Sequence, residues 1–185
     1  MGDRTQHEIT DNAIGAAIER LELAIERRPG FGVATNHSVT TLHDGHRCST
    51  EEGAWSIESD LGAALGGLGS APTPGVLLRA AFGSCLAMTY RLRAARHGVE
   101  LSSVRVTVES DSTLAGMLFL DAEAPAGYSE FRYHVEVESP DEPDRVLAIL
   151  DEGDLLSPVL DALARVNTVR RTTDIRSADV RSAGD

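Results

Sequence analysis

Apolar residues recur every three or four positions between Thr73 and Gly98, and this spacing predicts one long amphipathic helix. Thr73 suits the N-cap, and Pro74 suits the first helical position because its missing N–H has no helical partner there. Gly98 suits a left-handed residue that ends the helix. Cys85 falls in the middle of the apolar stripe, so we expect its thiol to face inward. The stripe comprises Leu78, Ala81, Phe82, Met88, Leu92 and Ala95.

The chain before this helix contains a second helical pattern and several short strand patterns. Residues 10–28 have helical apolar spacing that ends at Pro29, and this amphipathic helix is expected to pack on its own dimer. Strands are predicted over residues 31–41, 46–50 and 55–59, and the Asp44-Gly45 pair indicates a hairpin turn. Residues 60–72 are small and glycine-rich, which predicts a flexible approach to the central helix.

After the central helix the period changes to two. Residues 104–108 and 131–137 alternate apolar and polar side chains, as half-buried strands do. Residues 116–124 are predicted as a third strand between them, giving an antiparallel meander that the central helix covers. Helices are predicted over residues 141–152, ending at Gly153, and from Ser157 as N-cap to about residue 166. Residues 168–175 are predicted as a last strand.

These elements define a helical arm at residues 1–30, a main α+β domain at 31–175 and a polar tail at 176–185. The formal net charge of −12 comes from 17 basic and 29 acidic residues. Such a chain without a basic patch disfavours nucleic-acid and anionic-membrane partners. No membrane span or signal peptide is expected. Because the 2 cysteines form no CxxC motif, we expect a reduced, cytoplasmic protein.

The segment GVLLRAAFGSCLAMTYRLRAARHGVELSSVRVTVE, residues 75–109, resembles the central segment of the OsmC/Ohr family of osmotically inducible and organic hydroperoxide resistance proteins. The Gly-Ser-Cys cluster inside the helix is the specific part of this resemblance, because helix propensity alone does not favour it. Gly66-Gly67 upstream and Ser157-Pro158-Val159 downstream extend the resemblance to roughly residues 31–175. The matching helix positions are Pro74, Leu77, Leu78, Ala80, Ala81, Phe82, Gly83, Ser84 and Cys85.

The resemblance implies an OsmC-like α+β fold, in which an antiparallel sheet packs on the central helix, and an intertwined homodimer with active sites at the subunit interface. It also implies that a cysteine attacks the O–O bond of an organic hydroperoxide and is then resolved by a second cysteine and a thiol reductant. In the family an Arg keeps the first cysteine as thiolate, and a Glu at the start of the helix holds that Arg. No metal or other cofactor is implied.

This chain departs from the family pattern at three of the four active positions. Cys85 matches the reactive cysteine, but Ser157 stands where the resolving cysteine is expected and Gly75 where the Glu is expected. His43 stands at the expected Arg, with Arg47 as the alternative cation. Cys48 is an alternative resolving residue if the first hairpin lies over the helix.

Two functions remain open on these residues. The leading hypothesis is thiol-dependent reduction of organic hydroperoxides by Cys85, and the alternative is a non-catalytic protein that binds a small hydrophobic molecule in an interface pocket. Each residue also has a plainer interpretation: Cys85 as core packing and Ser157 as a helix cap. The turn containing His43, Asp44, His46 and Cys48 has metal-ligand residue types, but such turns more often face water, and no metal is expected.

Overall fold

The computed structural model describes residues 10–176. The predictions for residues 1–9 and for the tail beyond residue 176 lie outside the described residues. Helices and strands alternate in an α+β arrangement, and the helices pack mainly around the central one. The elements are α1 Asp11–Arg27, β1 Val39–Leu42, β2 Cys48–Glu52, β3 Trp55–Ser59, α2 Pro74–His97, β4 Ser103–Ser112, α3 Leu114–Met117, β5 Tyr128–Glu138, α4 Pro143–Leu156 and α5 Pro158–Ala164.

Helix α2 has the ends that its capping residues predict. The Thr73 hydroxyl accepts a hydrogen bond from the Val76 N–H, and Pro74 takes the first helical position. Gly98 has φ of 62°, and its N–H bonds the Ala94 carbonyl, so the last turn closes in a left-handed residue. Local chemistry therefore determines both ends of the central element.

The buried face of α2 differs from the predicted stripe. Phe82, Leu86, Tyr90 and Ala94 are buried, each one turn from the next, whereas Met88 is 66% exposed and Leu92 45% exposed. The helix has apolar side chains on more than one face, so spacing alone could not identify the face toward the core. Cys85 consequently lies half-buried at the margin between the two faces rather than in the core.

Strands β4 and β5 form an antiparallel pair that lies on α2. Val106 stands opposite Val135, and the alternating apolar side chains of both strands pack against the buried face of the helix. The predicted third strand at residues 116–124 is wrong. Thr113 caps the short helix α3, and Phe119 follows it with φ of 56° and 87% exposure. The cap at Thr113 and the left-handed residue Phe119 turn the chain instead of extending it, so β4 pairs directly with β5.

Helix α4 continues through Gly153, where a helix end was predicted. A Cβ at Gly153 would lie 2.4 Å from Cδ1 of Tyr90, so the glycine permits close packing of α4 on the ring. Helix α5 begins after Ser157 as predicted, and the Ser157 hydroxyl accepts from the Leu160 N–H. The predicted strand at residues 168–175 is not formed in the described part of the chain, and the side chains of Val169 and Ile175 are almost fully exposed.

Helix α1 packs on α2 of the same chain through small residues and ion pairs. A Cβ at Gly15 would lie 3.1 Å from the Ala95 carbonyl oxygen, so the two helices approach closely. Arg91 Nε lies 2.5 Å from an Asp11 carboxylate oxygen, and a second pair joins Arg96 to Glu22. The first half of the arm therefore packs on its own chain, whereas Leu21 and Ile25 of the predicted stripe remain half-exposed.

Strands β1, β2 and β3 form a separate antiparallel sheet. Its first strand runs from Val39 to Leu42 and is much shorter than the strand predicted over residues 31–41. The sheet makes no extensive contact with α2 or with the β4–β5 pair of the same chain. The loop between β3 and α2 is ordered around buried Asp60, whose carboxylate accepts from the backbone N–H and hydroxyl of Ser70. These bonds, the Ser70 N–H above all, lower the pKa of Asp60.

Candidate functional site

The fold brings Cys85 and Ser157 together from positions 72 residues apart in the sequence. Cys85 lies in the middle of α2, and Ser157 is the junction residue between α4 and α5. The Ser157 hydroxyl donates to Cys85 Sγ over 3.4 Å. Ser157 is fully buried and also caps α5 through the Leu160 N–H. The hydroxyl therefore serves as a helix cap and as a neighbour of the thiol at the same time.

The candidate cations and the second cysteine lie in the separate N-terminal sheet. His43 Nε2 lies 2.7 Å from Ser49 Oγ, and the His43 N–H donates to the Arg47 carbonyl across the hairpin turn. Cys48 belongs to the middle strand, paired with Leu42 and Ser59. Because this sheet makes no extensive contact with α2, a single chain does not pack these side chains around Cys85. Over residues 10–176, no group of three or more His, Cys, Asp or Glu side chains is arranged to hold a metal ion.

Tyr128 occupies the space beside Gly75, the position at which the resemblance led us to expect a Glu. A Cβ at Gly75 would lie 2.4 Å from the Tyr128 hydroxyl oxygen and 3.6 Å from Arg79 Nη1. Arg79 itself donates to Ser110 Oγ on β4 at 3.0 Å. Position 75 therefore has no room for a side chain, because the Tyr128 side chain of β5 fills the space beside it.

A pocket with aromatic walls, here called the aromatic pocket, is lined by residues one helical turn from Cys85 and from Ser157, although neither of these two residues lines it. It encloses about 350 Å³ between α2, β5 and α5. Phe82 is one helical turn before Cys85, and Leu160 is one turn after Ser157. The Phe82 ring meets Tyr133 edge-on at 5.5 Å between centroids. The lining residues are Phe82, Tyr128, Ser129, Glu130, Phe131, Tyr133, Leu160, Leu163 and Ala164.

The aromatic pocket concentrates a scarce residue type. The chain has only 4 Phe, 3 Tyr and 1 Trp, and two Phe and two Tyr line this one pocket. Aromatic rings offer large apolar faces at low conformational cost, so such walls suit an apolar ligand group.

Sequence reasoning missed Asp154. Its carboxylate accepts hydrogen bonds from the hydroxyl groups of two tyrosines. Tyr90 donates to Oδ1 at 2.6 Å and Tyr133 donates to Oδ2 at 2.8 Å. Burial, together with the hydrogen bond to Asp154, raises the pKa of Tyr133 to about 12 and raises that of Tyr90 as well. The only signal in the sequence was the position of Asp154 in the α4 pattern, three residues before the Ser157-Pro158 pair.

A separate ion-pair cluster joins α4 to α2 through Glu152, two residues before Asp154. Glu152 pairs with Arg93 through one carboxylate oxygen, and His97 Nε2 lies 2.9 Å from the other. The hydrogen bond from Arg93 lowers the pKa of Glu152. Glu152 therefore helps to fix α4 on α2 without taking part in the Asp154 cluster.

Comparison with known proteins identifies the fold around this site. A family model described as OsmC-like protein matches residues 67–171, more than half of the chain. No curated protein gives a significant match. None of the helices within residues 10–176 has the length and apolar character needed to span a membrane.

Solved structures with the same fold share little sequence with this chain. An OsmC-like protein from Mycoplasma pneumoniae is 16% identical with a TM-score of 0.60, covering 72% of this chain and 89% of the other. The organic hydroperoxide resistance protein OsmC from Legionella pneumophila is 18% identical with a TM-score of 0.55, covering 71% and 90%. An organic hydroperoxide resistance protein from Elizabethkingia anophelis is 15% identical with a TM-score of 0.52, covering 70% and 88%.

Proposed function

Because the chain belongs to the OsmC-like protein family, we propose that it reduces organic hydroperoxides through Cys85 with the help of an external thiol. The observation that carries this proposal is the contact of half-buried Cys85 Sγ with the buried Ser157 hydroxyl at 3.4 Å. A hydroxyl donor stabilises a thiolate more than a neutral thiol, and the thiolate is the nucleophile. The aromatic pocket would receive the organic group of the hydroperoxide.

In the proposed reaction, the Cys85 thiolate attacks the terminal oxygen of the hydroperoxide. An S–O bond forms as the O–O bond breaks, and the alkoxide takes a proton and leaves as an alcohol. Cys85 is thereby oxidised to a sulfenic acid. One reductant thiol condenses with it, releasing water and forming a mixed disulfide. A second thiol then attacks that disulfide, restoring Cys85 and releasing the oxidised reductant.

The external thiol is part of the proposal because Ser157 cannot form a disulfide. Cys48 belongs to a sheet that makes no extensive contact with α2, so it is poorly placed to replace the resolving cysteine in the same chain. The proposed compartment is the cytoplasm, whose thiol pool would supply the reductant.

The proposal includes a homodimer, whose second copy would cover the open side of the site. Met88 lies one turn beyond Cys85 and is 66% exposed, and Leu155, two residues before Ser157 on α4, is 82% exposed. Exposed apolar patches of this kind mark interaction surfaces. A second copy packed there would bring a cation, His43 or Arg47 of the other chain, to the Cys85 thiolate.

Peroxide consumption tests the proposed reaction directly. Cumene hydroperoxide is supplied with a dithiol or a monothiol, and loss of peroxide is followed for the wild type, Cys85→Ser and Cys48→Ser. We expect Cys85→Ser to fall to the uncatalysed rate, whereas Cys48→Ser retains wild-type turnover because an external thiol resolves Cys85. Wild-type turnover no faster than that of Cys85→Ser with every thiol would contradict the proposal.

The aromatic pocket supports a second candidate, a non-catalytic protein that binds a small hydrophobic molecule. Its walls and volume suit such a ligand whether or not Cys85 reacts. Native mass spectrometry of the purified protein separates the two functions. A retained apolar ligand together with absent peroxide turnover would favour binding, and a ligand-free protein that takes up no added apolar molecule would exclude it.

A further inference from the structure

We propose that Asp154 is a positioning residue that, through its hydrogen bonds to Tyr90 and Tyr133, holds the Ser157 hydroxyl against Cys85. Three elements meet at this carboxylate: Asp154 lies in the last turn of α4, Tyr90 comes from α2, and Tyr133 comes from β5. Cys85 is on the same helix as Tyr90, and Ser157 follows Asp154 by three residues. The inference rests on the Cys85–Ser157 contact used in the proposed function.

The two hydrogen bonds fix the end of α4 from two directions. Tyr90 donates to one carboxylate oxygen at 2.6 Å, and Tyr133 donates to the other at 2.8 Å. Bonds from neutral donors to a carboxylate are stronger than those between neutral groups. Rotation or sliding of the last turn of α4 would break at least one of them, so this turn has one preferred position relative to α2.

Gly153 makes the close approach to Tyr90 possible. Tyr90 is fully buried, and a Cβ at position 153 would lie 2.4 Å from its ring. The ring therefore approaches the α4 backbone closely at Gly153, and its hydroxyl donates to the next residue, Asp154. Gly153 and Asp154 together therefore hold this turn of α4 close to α2.

The position of this turn determines the position of Ser157. Ser157 ends α4 and begins α5, and its hydroxyl reaches both Cys85 Sγ and the Leu160 N–H. The 3.5 Å contact with nitrogen is long, and the same hydroxyl must also stay within 3.4 Å of sulfur, so a displacement of the junction would weaken both contacts. Asp154 is thus placed to act on the thiol through Ser157.

An amide at position 154 would disturb the cluster while keeping its size. Asparagine presents one oxygen and one NH2 group, so one phenol O–H would meet a donor instead of an acceptor. The junction would then shift, and Ser157 would donate less well to the thiolate. Glu152, two residues earlier, provides a matched control because its carboxylate faces Arg93 and His97 from α2 rather than the two tyrosines.

The rate at which iodoacetamide alkylates Cys85, measured against pH, tests this inference. Peptide mass spectrometry separates Cys85 from Cys48, which serves as an internal standard in every variant. We expect Asp154→Asn to raise the pH midpoint of Cys85 alkylation by about one unit, a tenfold loss of thiolate below the midpoint. Ser157→Ala should give a similar shift, and Glu152→Gln, which removes ion pairs between α4 and α2 but keeps both phenol hydrogen bonds, should give a clearly smaller one.

A double-mutant cycle then asks whether Asp154 acts through Ser157. In the Ser157→Ala background, Asp154→Asn should cause no further shift. An equal shift in both backgrounds, an unchanged midpoint in folded Asp154→Asn, or faster alkylation from simple loosening would each overturn the inference. If Asp154→Asn does not fold, Tyr133→Phe, which leaves the Tyr90 bond in place, goes through the same cycle. The readout is alkylation, so failure of peroxide turnover leaves this result unaffected.

Discussion

At the scale of single residues, the site depends on two side chains, Tyr128 beside Gly75 and Ser157 beside Cys85. Tyr128 lies where a side chain at position 75 would leave the helix, and Ser157 stands in the position of a second cysteine. A larger side chain at position 75 would therefore meet Tyr128, so a change at one of these positions should depend on the residue at the other.

Gly75→Ala tests this coupling. The added methyl group would overlap the Tyr128 hydroxyl, and overpacking of this kind costs about 1–3 kcal/mol of unfolding free energy. In a Tyr128→Phe background the clash disappears, because the next ring atom, Cζ, lies 3.6 Å away. There we expect Gly75→Ala to stabilise the helix by about 0.5–1 kcal/mol, the usual gain of Ala over Gly.

Chemical denaturation of the four proteins in this cycle measures the effect. Gly127→Ala is the matched control, since a Cβ at position 127 has no atom within 4 Å although Tyr128 is its neighbour. Equal effects of Gly75→Ala in the two backgrounds would show that Tyr128 does not limit position 75.

At the scale of helices and strands, the link between α4 and α2 should depend on pH. Arg93 lowers the pKa of Glu152 in the folded protein below its ordinary value of 4.5, so the ionised carboxylate favours folding. This contribution is present above the unfolded-state pKa and is lost as the pH falls through the lower folded-state pKa. Unfolding free energies measured at several pH values should show wild type more stable than Glu152→Gln near neutrality and the difference shrinking below about pH 4.5. A difference that is constant with pH would contradict this assignment.

Sequence patterns predicted the elements better than the faces they bury. Both ends of α2 were predicted because Thr73, Pro74 and Gly98 act within one turn. Its core face was not, because apolar residues surround much of the helix. The third strand was wrong because the Thr113 cap and the positive φ at Phe119 turn the chain inside the apolar run, which hydrophobicity alone does not reveal. Gly153 resembled a helix end only because its contact with Tyr90 lies 63 residues away in the sequence.

The candidate site was predicted in part for the same reason. Cys85 and Ser157 came from a resemblance to a family pattern, and the structure brings the two side chains together. Asp154 was missed because its phenol partners are 64 and 21 residues away, so no local spacing reveals them. Contacts between distant segments are what the sequence of a single chain leaves undetermined.

At the scale of the whole molecule, one chain leaves much apolar surface uncovered. Met88 and Leu92 on α2 belong to this surface, as do Leu155 and Leu156 on α4. A charge placed in the proposed dimer interface should therefore separate the copies, since an unpaired charge is costly to bury. We expect wild type to sediment as a dimer and Met88→Glu to sediment largely as a monomer in analytical ultracentrifugation.

Leu147→Glu is the control for this experiment. Leu147 is 57% exposed, like Met88, but it borders a groove between α4 and the end of β5. The control should remain dimeric. A monomeric wild type, or equal dissociation of both variants, would show that the α2 face does not form the interface.

The hydroxyl of Ser157 has a kinetic consequence under the proposed reaction. A neighbouring cysteine would close a disulfide in a first-order step, at a rate that does not depend on the surrounding thiols. With serine in its place, the sulfenic acid of Cys85 reacts only with an external thiol in a second-order step. Its lifetime is then inversely proportional to the thiol concentration. When thiols are depleted the oxidised form would accumulate, and its fraction would report the balance between peroxide and thiol around the protein.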